Sequence, residues 1–241
     1  MAGESRHGES RHYTDAPYTK VYTPSALTRW YDFMVLRINM KYMWRCPTDS
    51  VLLPFFSENF SRRHLDCGVA SGWFPYTALS RPFRVHATQH LTLLDYNEDA
   101  LRISKSRVLS ATTNTTIDCV VADVKAPLPD ALKDAKFDSI SMFNLFHCIP
   151  GSSKFQAFGT YKHLLAEDGV LTGCTILGEK YATRWLGRWL LKKYNRLGYF
   201  NNLEDNEEDI RQILEKEFEE VETWLIGMML LFRVSKPRTD L

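Results

Sequence analysis

Three apolar runs of the chain each close on an aspartate, and each aspartate stands where a carboxylate can recognise a ligand. The first run is His64-Leu65-Asp66-Cys67, followed by Gly68-Val69-Ala70-Ser71-Gly72. Glycines let the backbone pass close to a ligand, and a helix N-terminus after such a turn offers free N–H groups. An ordinary tight turn would have the same composition. The second run, Leu91 to Asp95, ends 29 residues after Asp66. A carboxylate there can accept from both hydroxyls of a ribose; it can also be a solvated strand end beside a helix capped at Asn97. The third, Val120-Val121-Ala122-Asp123-Val124, puts an acid where it can meet an adenine amino group, with Val124 against the ring. A loop aspartate is the plainer alternative. A fourth run, Phe137 to Phe143, leads to Asn144 and His147. Both then fall near the carboxyl ends of the central strands, where open α/β sheets bind ligands.

The elements that must position these residues follow from hydropathy. From Arg63 onward, short apolar runs alternate with amphipathic stretches, the pattern of a parallel sheet built from βαβ units. Strands are expected near 63–67, 90–95, 117–121, 137–143 and 169–176, with helices near 73–80, 98–110 and 154–166. A polar helix near 206–217 precedes two final strands, 219–226 and 228–235, joined at Gly227 as an antiparallel hairpin. Upstream, Thr23 and Pro24 suit a helix start, and Ala26, Leu27, Trp30, Phe33, Met34 and Ile38 keep helical spacing. Thr48 or Asp49 can cap a second helix through Val51, Leu52, Leu53 and Phe56. Residues 1–16, with GESRH twice in tandem, read as a flexible arm. The expected organisation is that arm and one domain over 17–241, with a helical lid at 17–60 and a helical insertion at 179–200.

Taken together, the ordered acids Asp66, Asp95 and Asp123 and the Phe-Asp-led fourth strand resemble the class I S-adenosylmethionine (SAM)-dependent methyltransferases. The resemblance covers 45–176 and extends through the terminal hairpin to 235. It implies a Rossmann-like α/β fold: a seven-stranded sheet, mostly parallel, with an antiparallel C-terminal hairpin and helices on both faces. It implies SAM as cofactor and S-adenosylhomocysteine as product. Asp66, Gly68 and Gly72 would form the methionine-end loop, Asp95 would hold the ribose, Asp123 and Val124 would face the adenine, and Asn144 would lie beside the sulfonium. Trp44-Arg45-Cys46-Pro47, together with 64–74 and 146–151, is similar to small methyltransferases of microbial small-molecule pathways. One departure stands out: the family loop has a glycine where this chain has Ala70.

A sulfonium makes its methyl electrophilic, so the protein must chiefly align an acceptor. An oxygen acceptor must also lose a proton. His147 is the candidate base, because imidazole titrates near neutral pH; a buried, backbone-satisfied histidine is the alternative. Tyr31 and Asp32 are further candidates on the first helix, whose Trp30, Tyr31 and Phe33 line a pocket or pack in the core. The aromatic and basic insertion 179–200 forms a pocket wall or a partner surface.

Lys plus Arg number 30 and Asp plus Glu 29. That balance gives no electrostatic case for nucleic acid or an anionic membrane. The five cysteines form no CxxC pair and no disulfide framework, which fits a reducing, cytoplasmic setting. No secretory h-region and no membrane-length apolar run is visible, and no metal is called for. The expected function is methyl transfer from SAM to a small-molecule, secondary-metabolite-like acceptor, bulky and partly apolar, with the acceptor atom and the oligomeric state left open. The rivals are a SAM-fold enzyme catalysing a non-methylating cyclisation or rearrangement and a non-catalytic binding subunit. A nicotinamide enzyme fits the loop poorly, since Ala70 and Ser71 break G-x-G-x-x-G.

Overall fold

The computed structural model describes residues 32–82, 84, 88–112 and 114–239. Its first element is a helix, Asp32–Met43, wound as a π-helix. The wide winding persists at its end, where the Trp44 N–H donates to the Asn39 carbonyl at 2.9 Å. The expected start of this helix at Thr23, the arm 1–16, Trp30 and Tyr31 lie outside the described residues. A second wide turn, Thr48–Leu52, runs into α1 (Leu53–Glu58). Neither Thr48 nor Asp49 caps it. Pro47 holds the cap position, and the Thr48 hydroxyl donates instead to the Leu36 carbonyl, tying this turn to the first helix.

The alternating part of the chain folds as β1 (Arg63–Cys67), α2 (Trp73–Leu79), β2 (Gln89–Asp95), α3 (Glu98–Leu109), β3 (Thr115–Val121) and β4 (Phe137–Phe143). After β4 come α4 (Ala157–Tyr161), β5 (Leu165–Ile176), α5 (Trp185–Arg196), α6 (Glu207–Glu217), β6 (Phe218–Ile226) and β7 (Met229–Pro237). Asn97 caps α3 by accepting from the N–H groups of Asp99 and Ala100, and Asn206 caps α6 by accepting from Asp209. The continuous helix expected over 154–166 is instead three short pieces, with α4 between single 3₁₀ turns at Ser152–Gln156 and Lys162–Leu164. The strand that follows begins at Leu165, earlier than the apolar run suggests, and a register shift between Phe137 and Ser139 absorbs the extra residues.

The seven strands form one sheet in the order β3-β2-β1-β4-β5-β7-β6. Neighbours among β1 to β5 run parallel, and β7 runs antiparallel to both β5 and β6. The terminal hairpin is therefore present, with its second strand inserted beside β5. Chain direction diverges from β1 toward β2 on one side and β4 on the other, which opens a crevice at their carboxyl ends. Strand residues alternate between two apolar clusters: Leu93, Phe143 and Leu231 in one, Leu94, Met142 and Phe232 in the other. That alternation puts a core on each face of the sheet. The first helix, through Leu36 and Met40, and α5, through Leu190 and Leu191, belong to the first. Ile210 and Leu214 of α6 belong to the second.

Candidate active site

A cavity of about 1180 Å³, measured out to its open mouth, lies at the crevice. Its wall brings together Asp66 from β1, Gly68 and Ala70 from the loop, Asp95 from β2, Asp123 and Val124 after β3, and Asn144 after β4. Residues 78 positions apart in sequence thus converge because four parallel strands end at one edge. Apolar wall is supplied by Leu36, Trp73, Phe74, Phe143 and Leu145. Gly72 is not part of the wall. It sits just behind it, with Ser104 of α3 packed where a side chain would be.

The loop alternates in the left-handed region: Gly68 at φ +76°, Ala70 at +46° and Gly72 at +67°. Ala70 therefore keeps the conformation a glycine would adopt, at a strain of about 1 kcal/mol. A side chain on Gly68 would meet the Leu145 Cδ1 at 2.6 Å, so the glycine leaves the backbone flush with the cavity. The Ala70 carbonyl accepts from the Ser104 hydroxyl at 3.0 Å, and its N–H points to the Asp95 Oδ2 at 3.4 Å. The other oxygen of Asp95 accepts from the Asn97 N–H at 2.9 Å. Burial pushes the Asp95 carboxyl up to about 6, against the pull of these backbone donors. Asp66 is pushed up to about 7, first by burial; a hydrogen bond from Ser141 works in the opposite direction and the nearby Asp95 charge adds to the rise. Asp123 turns one oxygen to the Lys125 N–H at 2.9 Å. Asn144 takes φ +55°, donates its N–H to the Cys174 carbonyl at 2.9 Å, and accepts from the Cys174 thiol through its side-chain oxygen at 3.6 Å.

His147 is not on the cavity wall. It is 3% exposed, lies edge-on to Phe200 with ring centroids 4.5 Å apart, and its Nδ1 faces the Ile176 N–H at 3.4 Å. Burial, helped by the Lys154 charge, lowers its pKa to about 3, so the ring is neutral. Its neighbours Leu145, Cys148 and Ile149 reach the wall instead. Phe33 is largely exposed, and Leu36, one helical turn on, lines the cavity in its place. No residue of the insertion 179–200 is part of the wall.

Two arrangements went unread in the sequence. Asp32 accepts from the Ser71 hydroxyl at 2.6 Å and pairs with Arg107 of α3, whose other nitrogen donates to the Ser71 carbonyl at 2.8 Å. This latch joins the first helix to the glycine loop, and Asp32 is spent in it. Asp32 and Arg107 are 75 residues apart, and no local pattern links them. The second is a polar chain beneath Asp66 through Ser141, His64 and Ser139. Its signal was available: both faces of a parallel strand are buried and normally apolar, yet His64, Asp66, Ser139 and Ser141 are polar at every second position.

A Rossmann-like sheet whose crevice carries acids at three successive strand ends and a left-handed loop between the first strand and its helix defines a SAM-dependent methyltransferase of class I. Comparison with known proteins agrees. A family model described as a methyltransferase domain matches residues 65–172. The chain is 51% identical over 251 residues to the O-methyltransferase NEC2 of Pyricularia oryzae, covering 94% of this chain and 95% of that one. It is 39% identical to the methyltransferase verB of Penicillium polonicum, covering 92% and 99%. In fold it is similar to the N-methyltransferase NodS of Bradyrhizobium japonicum bound to S-adenosylhomocysteine, with a TM-score of 0.59, 16% identity and coverage of 93% and 100%. It is also similar to human N-acetylserotonin methyltransferase bound to SAM, with a TM-score of 0.60, 15% identity and coverage of 92% and 59%. The chain belongs to the class I SAM-dependent methyltransferases. It uses SAM to methylate a small-molecule acceptor.

Proposed function

We propose that the acceptor atom is a hydroxyl oxygen on a bulky, largely apolar metabolite, and that the cavity acids divide the cofactor among them. Asp95 takes the ribose hydroxyls, Asp123 and Val124 take the adenine, Asp66 with Gly68 takes the methionine end, and Asn144 stands beside the sulfonium. The observation that carries this division is the order of Asp66, Asp95, Asp123 and Asn144 around one cavity, each at the end of a successive strand of the β3-β2-β1-β4 half of the sheet. The flush backbone at Gly68 and the ring-sized apolar wall at Val124 and Leu145 suit a nucleoside better than a metal or a phosphate.

When bound, the cofactor supplies an electrophilic methyl; the protein's part is to orient the acceptor and to keep water out. Leu36, Trp73, Phe74 and Phe143 would do both for an apolar ring system. The name of the NEC2 relative, an O-methyltransferase, supports oxygen as the target. A phenol or enol hydroxyl matches this wall, because with a pKa of about 10 it is a far stronger acid than an alkyl alcohol and, as the methyl transfers, can pass its proton to water at the cavity's open mouth. His147, neutral and packed away from the cavity, acts through packing in this reading. The division into a lid at 17–60, a catalytic body and an insertion at 179–200 is retained only in part: Leu36 supports the lid, while the insertion has a packing role. Five free cysteines support a reducing, cytoplasmic setting.

Calorimetric titration with S-adenosylhomocysteine tests the assignment. Asp95→Ala should weaken binding by roughly 1.5–3 kcal/mol, the worth of a hydrogen bond to a charged group. Unchanged affinity would remove Asp95 from the ribose.

A further inference from the structure

Beneath the cavity, strands β1 and β4 place His64 opposite Ser139 and Asp66 opposite Ser141. The Ser61 N–H donates to the Ser139 Oγ at 2.9 Å. The Ser139 Oγ lies 2.6 Å from the His64 Nδ1, the His64 Nε2 lies 2.8 Å from the Ser141 Oγ, and the Ser141 hydroxyl donates to the Asp66 Oδ1 at 2.5 Å. Ser139 and Ser141 are both 0% exposed, and His64 is 1% exposed.

This chain has a direction. Its first donor is a backbone N–H, which cannot reverse. The Ser139 proton then goes to the His64 Nδ1, the His64 Nε2 carries the ring proton and gives it to Ser141, and the Ser141 proton is left for Asp66. Run the other way, the Ser139 proton would need an acceptor outside the chain, at a hydroxyl shut off from water. A buried donor without an acceptor costs about 1–3 kcal/mol, so the sequence of donors is locked toward Asp66. The ring has no other state to adopt: burial and the Arg84 charge lower the His64 pKa to about 3, and Phe60 and Phe56 lie against it with centroids 4.5 and 5.6 Å away. The groups facing Asp66 otherwise disfavour its charge, since burial and Asp95 both raise its pKa.

We propose that Ser139, His64 and Ser141 are positioning residues that hold Asp66 as an oriented carboxylate for the cationic amino group at the methionine end of the cofactor. The inference rests on the assignment of Asp66 to that end. The chain opposes the two influences that favour the neutral acid, and it fixes which oxygen is occupied from below and which is left for the ligand. A chain serving only the fold would need no carboxylate at its terminus on the cavity wall.

The test compares two ligands by titration: S-adenosylhomocysteine, which carries the amino acid end, and 5′-methylthioadenosine, which lacks it. Asp66→Asn should lose affinity for the first and keep it for the second; retained affinity for both overturns the assignment of Asp66 and the proposal with it. Given that loss, Ser141→Ala should weaken S-adenosylhomocysteine about tenfold, and Ser139→Ala, which does not touch Asp66, severalfold. Methylthioadenosine affinity should stay within twofold in both. Equal weakening of the two ligands, or none, overturns the chain while leaving Asp66 in place. A reading that needs no variant is the nitrogen NMR of the wild-type protein at pH 8. His64 should be neutral with its proton on Nε2, and a proton on Nδ1 overturns the proposal even if a serine variant fails to fold.

Discussion

Asp66 and Asp95 are unusual carboxylates in the free protein, pushed up to about 7 and about 6 chiefly by burial. Under the proposed division of the cofactor, both are needed as anions by a ligand that brings a cationic amine and two hydroxyl donors, so binding should lower both values. The sign follows. Below pH 6 the free protein holds these protons and must release them to bind; above pH 8 it has none to release. Affinity for S-adenosylhomocysteine should therefore rise with pH, about tenfold or more from 5.5 to 7.5, one unit of pKa being worth 1.36 kcal/mol. Titrations across that range, in buffers of different ionisation enthalpy, would detect the released protons, and a flat profile would contradict the shifts. The acids were legible in the sequence because each terminates an apolar run. Their protonation was not, since it depends chiefly on burial reached only in the folded chain; of the N–H groups that oppose it at Asp95, Asn97 is a near neighbour, but Ala70 arrives only through the turn of the glycine loop. His147 was misplaced for a related reason. The sequence put it one short turn after β4, and the Phe146–Cys148 turn rotates it into the core beside Phe200 while presenting Cys148 to the cavity.

Between the elements, the glycine loop is held from two sides. On one, Gly72 abuts Ser104, where an added Cβ would come within 2.8 Å of the Ser104 Cα; on the other, Gly68 abuts the end of the Leu145 side chain. Both glycines have positive φ, so alanine costs about 1 kcal/mol at either from the backbone alone. A side-chain tip can rotate away and a helix backbone cannot, so Gly72→Ala should destabilise clearly more than Gly68→Ala in urea unfolding. Equal losses would mean that α3 yields as readily as a leucine tip. The same helix carries Arg107, which with Asp32 closes the latch over Ser71. Both side chains are mostly buried, 23% and 12% exposed. Arg107→Ala should cost about 2 kcal/mol of stability, as expected for losing charged hydrogen bonds. A double-mutant cycle with Asp32→Asn should show the two losses coupled, and additive losses would dissolve the latch. Helix and strand positions were readable from periodicity because packing on a sheet enforces it. The break of 152–164 into short turns was not, since Phe155, Phe158 and Tyr161, all buried in the second core, recur every third residue, a spacing that suits 3₁₀ turns as well as one helix.

For the whole molecule, the hydrophobic pattern carried the architecture: seven strands, the order of the acids and the terminal hairpin all follow from it. The insertion of β7 next to β5 did not, because strand order depends on which edge is left open. That arrangement stacks Phe232 over Gly173, against Phe158 and Phe146 at 5.3 and 6.4 Å between centroids. Phe232 is 0% exposed. Phe232→Ala should therefore cost about 3–5 kcal/mol in chemical denaturation, and a loss under 1 kcal/mol would mean that this face of the sheet repacks freely. Among the described residues, no helix is long and apolar enough to cross a membrane.

The latch has a consequence for engineering the acceptor range. Leu36, on the cavity wall, lies one turn beyond Asp32 on the same helix. Grafting that helix from a relative to change the acceptor would also replace the residue that braces the glycine loop, to which the proposed function gives the methionine end of the cofactor. Such a graft transfers cleanly only when positions 32, 71 and 107 travel as a set; otherwise a swap meant to alter what is methylated will register first as a poorer grip on the methyl donor.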